Sequence, residues 1–137
     1  MNQHTIVTTY KSEGGTTLAK TAIVEAELSQ NLELVVPAGS TDLQVDAAVT
    51  ITNLKSICMT CSKVTGATGT FTQLTVETNS GSAPADTFVL TPANGLVWSY
   101  GDPNANPIGT AITSMYVTNA GTADANFVLR ALHDPTP

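Results

Sequence analysis

Residues 71–78, FTQLTVET, alternate along their length: Leu74 and Val76 share a face with Thr72 and Thr78, while Phe71, Gln73, Thr75 and Glu77 share the other. A period of two is what a pleated strand produces, because successive side chains point to opposite sides. The same reading extends outward. In residues 126–134, NFVLRALHD, Phe127, Leu129, Ala131 and His133 fall on one face and Val128, Arg130 and Leu132 on the other. Apolar side chains on both faces describe a central strand that is covered on both sides. Further strands are predicted at 5–10, 21–28, 32–36, 43–52, 54–62, 87–90, 96–100 and 114–118, each rich in β-branched or aromatic residues. Between them lie Gly14-Gly15, the run 37–40 (PAGS), Asn79-Ser80-Gly81, Asn94-Gly95 and the loop 101–107, which supply turn chemistry. Residues 119–121 read as the turn of a hairpin joining 116–118 to the last strand.

One segment is ambiguous by composition. Residues 18–28, LAKTAIVEAEL, contain good helix formers, but Ala22, Val24, Ala26 and Leu28 alternate against Ile23, Glu25 and Glu27. That alternation fits a strand better than any helical stripe. About eight to ten short strands with regular turn signals point to an all-β domain, a sandwich or barrel. At 137 residues the chain is one domain by size. Residues 1–15 are expected as an extended N-terminal arm whose strand has no hairpin partner of its own, and 16–137 as the β-sandwich domain.

Charge narrows the function classes. Only 12% of residues are charged, about half the usual share, which suggests that part of the surface is covered by something else. The net charge is −6, and the five basic residues Lys11, Lys20, Lys55, Lys63 and Arg130 are scattered. Direct nucleic-acid binding, which needs clustered cations, is not expected. No apolar run is long enough for a membrane helix, and the first fifteen residues lack the pattern of a secretory signal.

Sets that carry chemistry are sparse. Cys58 and Cys61 form a C-x-x-C within a predicted strand, so the two thiols are expected on opposite faces as reduced, structural residues. His4 and His133 lie near the two termini, and neither has a Ser or Cys with a carboxylate beside it in sequence. Asp102, Asn104 and Asn106 offer alternating oxygens, either for a calcium ion or, more plainly, for their own backbone amides. No catalytic, cofactor or metal set is predicted. Trp98 and Tyr100 stand two residues apart on one predicted strand face. They read as a core pair, as anchors in a protein interface, or as a sugar-stacking platform.

The run from Val64 through Pro107, followed by residues 112–137, resembles small jelly-roll cement or decoration proteins of tailed bacteriophage heads. The resemblance is carried by a strand ending in ETN (77–79), the DTF-x-L strand (86–90), GLVW (95–98) and the closing YVTN-x-GTA-x-A (116–125). It covers roughly residues 45–134 and rests on turns and core positions rather than on chemistry. It implies a virion structural protein, made in the host cytoplasm, that bridges major capsid protein subunits on the shell surface and associates as a dimer or trimer. Under that reading the contact residues are Thr5, Ile6, Val7 and Tyr10 of the arm, with Trp98, Tyr100 and Asp102. A carbohydrate- or receptor-binding module, with Trp98 as its platform, is the alternative.

Overall fold

The computed structural model describes residues 2–11, 17–26 and 28–134. Among these residues the chain is all β, with ten strands: β1 (Asn2–Lys11), β2 (Thr17–Ala26), β3 (Leu28–Val36), β4 (Leu43–Val45), β5 (Leu54–Lys63), β6 (Leu74–Thr78), β7 (Thr87–Leu90), β8 (Leu96–Ser99), β9 (Met115–Thr118) and β10 (Ala125–His133). Two four-stranded antiparallel sheets form a sandwich. One has the order β3-β10-β5-β8 and the other β4-β9-β6-β7; β1 and β2 make a separate two-stranded sheet. We call the first the proximal sheet, because the β1–β2 hairpin lies over its outer face, and the second the distal sheet.

The pairings are nested: β3 with β10, β4 with β9, β5 with β8 and β6 with β7. Of the consecutive strands from β3 onward, only β6 and β7 stay within one sheet. All other connections there cross between sheets, so the chain is laid out as one long hairpin folded over on itself. The inner faces meet in a core that contains Ile57, Met59, Leu74, Val76, Leu90, Met115, Phe127 and Leu129. Alternation places them. Leu74, Val76 and Thr78 are buried while Thr75 and Glu77 are half-exposed, the division that FTQLTVET predicts. Residues 125, 127, 129 and 131 of β10 are likewise buried, and β10 is an interior strand of its sheet. Residues 18–26 are extended, as their alternation predicts, and Leu28 already belongs to β3.

Three expectations are corrected. The N-terminal strand does have a hairpin partner: β1 pairs with β2 in continuous antiparallel register from Asn2↔Ala26 to Lys11↔Thr17. The sequence 43–52 is not one strand. Its burial still alternates, but ladder pairing stops at Val45 and resumes only as a single bridge between Val49 and Ile112. Finally, 116–129 is not a hairpin, because β9 belongs to the distal sheet and β10 to the proximal one. The turn chemistry at Asn119 serves a crossing instead.

Asn119 is fully buried. Its side-chain amide donates to the carbonyls of Val36 (3.1 Å) and Ala123 (3.0 Å), and its Oδ1 accepts from the Gly121 amide (3.0 Å). Its backbone amide donates to Ser40 O at 2.9 Å. The corner after β3 is thereby tied to the corner before β10, and Asp124 Oδ1 accepting from the Ala38 amide at 2.8 Å adds a second tie. Gly121 is required by space, since a Cβ there would stand 2.6 Å from Thr70 O. Replacing Asn119 by Ala strands two buried carbonyls. Urea unfolding of Asn119→Ala should show a loss of about 2–3 kcal/mol, whereas a loss within error of zero would show that the corner is held by the backbone alone.

Candidate functional site: the hairpin and the groove beneath it

The contacts that seat the β1–β2 hairpin on the outer face of the proximal sheet include an apolar pair and a hydrogen bond. Ala26 and Leu132 form a small buried apolar pair separate from the main core. His4 Nδ1 and the Ser56 hydroxyl share a hydrogen bond at 3.1 Å. Alternation explains both, because Ser56 and Leu132 are on the outward faces of β5 and β10, opposite the core residues Ile57 and Ala131. Ser56 and Leu132 are nevertheless buried, covered from outside the sandwich. Beneath the hairpin lies a groove of about 490 Å³ whose lining includes His4, Ile6, Ser56, Cys58, Val97 and Arg130.

The electrostatics of the groove favour a neutral latch. Burial, and secondarily the positive charge of Arg130, hold the His4 imidazole below its ordinary pKa. Arg130 is itself ion-paired with Glu33. Burial pushes the Cys58 thiol up, against a weaker downward pull from Arg130, and burial also raises Cys61. Thiols shifted that way hold little thiolate at neutral pH and are poor nucleophiles. The two cysteines are unbonded and lie on opposite faces of β5, Cys61 in the core and Cys58 in the groove. His4 and Ser56 do touch, but Ser56 is buried and Glu33 is engaged by Arg130. The contact fastens the hairpin.

The outward side of the hairpin has a different character. Gln3, Thr5, Val7, Thr21 and Ile23 are exposed there, and these side chains include no charge. Val7 is 58% and Ile23 64% exposed. Thr5 opposes Ile23 and Val7 opposes Thr21, so the two apolar residues are diagonal neighbours on one face. Among the expected contact residues, Thr5 and Val7 are exposed and Ile6 is half-buried, and all three border the groove. Tyr10 pairs with Leu18 in the ladder, but its side chain lies outside the described residues. Ile23 went unnoticed as a contact residue although it stood in sequence on the face of Glu25 and Glu27, an apolar residue on a polar side.

The second expected group lies elsewhere. Trp98 is half-buried, packed against the core from the inner face of β8, and its Nε1–H donates to Asn104 O at 3.3 Å. Trp98 alone packs on the core; the core-pair reading fails because Tyr100 is exposed. Tyr100 lies just past the end of β8, 69% exposed, with the Lys55 ammonium 4.3 Å from its ring centroid. Asp102 Oδ1 accepts from the Asn104 amide (2.9 Å) and Asn106 Oδ1 from the Ile108 amide (3.0 Å). These are Asx turns, the plainer of the two readings of that loop. Trp98 and the hairpin therefore sit on opposite faces of the proximal sheet, and the structure does not bring them together.

His4 makes the latch sensitive to pH. A histidine whose pKa in the closed form lies below its free value of about 6.5 leaves closure unaffected above that value and weakens it as pH falls from there through the lowered pKa. Hydrogen exchange of β1 and β2 amides, corrected for intrinsic rates, should show lower protection at pH 5 than at pH 7.5. His4→Gln, which keeps a neutral polar group, should flatten that dependence; an unchanged dependence would assign it to another group. Compared with family models, with curated proteins and with solved structures, the chain matches none of them.

Proposed function

We propose that this chain is a capsid decoration protein, a structural component that docks on the shell of a tailed-phage head and bridges its subunits. The observation that carries the reading is the outward face of the β1–β2 hairpin, where Val7 and Ile23 stand exposed beside the uncharged Gln3, Thr5 and Thr21. A two-stranded blade of that kind suits burial against another protein. The resemblance over residues 45–134 supports the shell as the partner, and the nested strand order supports the jelly-roll architecture that the resemblance implies. Low charge density fits a surface that is covered in an assembly. Many weak, identical contacts on a repeating lattice add up through avidity, so each site needs only modest affinity. On this reading the partner is the major capsid protein, the location is the outer virion surface, and no catalysis is involved.

Co-sedimentation with isolated heads that lack the protein tests the proposal. The wild-type chain should pellet with the heads. Val7→Asp combined with Ile23→Asp should weaken binding at least tenfold, since burial of two such side chains is worth about 1.5–3 kcal/mol each, and should leave the thermal midpoint unchanged. Failure of the wild type to pellet would overturn the capsid reading. Undiminished pelleting of the double variant would remove the hairpin from it.

A further inference from the structure

We infer that the β1–β2 hairpin exchanges between copies of this chain, the blade of one copy seated on the outer face of the proximal sheet of another. A single residue separates β2, ending at Ala26, from β3, starting at Leu28, although the two strands belong to different layers. A connection that short between an element and the body it packs on is the arrangement from which exchange arises, because a change of backbone direction at one place redirects the whole element. The receiving surface needs no new complementarity. It is the surface the blade already covers in its own chain, and Leu132 and Ser56 accept a second copy's Ala26 and His4 with the same chemistry.

Among the described residues, the closed form is held by the Ala26–Leu132 apolar pair and the His4–Ser56 bond, with a groove of about 490 Å³ beneath. An exchanged pair recovers these contacts twice about a two-fold axis. The blade is also long, ten residues in each strand, or about 30 Å at the rise of an extended chain, which gives it reach. The inference stands apart from shell binding: exchange uses the inward residues His4 and Ala26, whereas Val7 and Ile23 point outward in either arrangement.

The test uses the purified full-length chain alone. In a Cys58→Ser, Cys61→Ala background, the single variants Ala26→Cys and Leu132→Cys are refolded together and oxidised. The expected result is a disulfide-linked heterodimer on a non-reducing gel, which only a contact between chains can produce. His4→Cys refolded with Ser56→Cys repeats the test without touching the buried Leu132. Unmodified protein should sediment as an oligomer, and inserting Gly-Ser-Gly between residues 27 and 28 should shift the equilibrium toward monomer by at least tenfold. The inference is overturned if the wild type remains monomeric from micromolar to millimolar concentration. It is equally overturned if neither mixed pair cross-links between chains.

Discussion

Strand β10 is the element on which the rest of the structure depends. It hydrogen-bonds to β3 along one edge and to β5 along the other, over nearly its whole length. Its inner face supplies Phe127, Leu129 and Ala131 to the sandwich core, while Leu132 on its outer face anchors the hairpin. A strand used on four sides has to carry apolar residues on both faces and be free of proline, and β10 does so with Phe127, Leu129 and Ala131 on one face and Val128 and Leu132 on the other. It is also the last of the described strands, so the proximal sheet cannot be completed until residues 125–133 are available. Pairings that span from Leu28 to His133 carry a large loop-closure cost before they return any stability. The nested order moderates that cost, since β6 and β7 can pair locally and each outer pair then closes on the one inside it.

Crossing between sheets creates corners, and corners leave backbone groups without ladder partners. The molecule satisfies them with asparagine and aspartate. Asn119 ties the exits of β3 and β9, and Asn79, held at a positive φ of 67°, accepts from the Thr113 amide and donates to Ala111 O. Asp86 accepts from the Gly109 amide in the same manner. This use of short polar side chains as internal staples explains a composition rich in Asn and Thr but poor in charge. Side-chain oxygens that might have signalled a metal or catalytic site are largely engaged in holding loops.

The hairpin obeys different rules from the sandwich. Its own ladder is regular and separate from the two sandwich sheets, and the contacts described between it and the sandwich include one apolar pair and one histidine–serine bond. It meets the outside with Val7 and Ile23 and its own chain with His4 and Ala26. The latch is tuned by burial and then by Arg130, which is ion-paired with Glu33 and sits close enough to penalise a charged His4.

Much of the fold was legible in the sequence because a strand's period of two is a local property. Leu74, Val76, Phe127 and Leu129 could be assigned to the core from alternation, and the same rule separated Cys58 from Cys61 and read residues 18–28 as extended. Which strand pairs with which is not local. Asn119-Ala120-Gly121 carries the same turn chemistry whether the chain reverses within one sheet or crosses to the other, and only the partners Val36 and Ser40, some eighty residues away, decide between them. The partner of β1 was missed for the same reason, since a strand's hydrogen-bonding edge leaves no mark on its side chains. The candidate site was legible only in part: Thr5, Ile6 and Val7 stood out as an apolar terminal segment, but the latch joins His4 to Ser56 and the anchor joins Ala26 to Leu132. Sequence determined the faces of the strands, because side-chain chemistry alternates residue by residue. Tertiary structure decided their neighbours, because a hydrogen-bonded ladder or a packed pair requires two segments that only folding brings together.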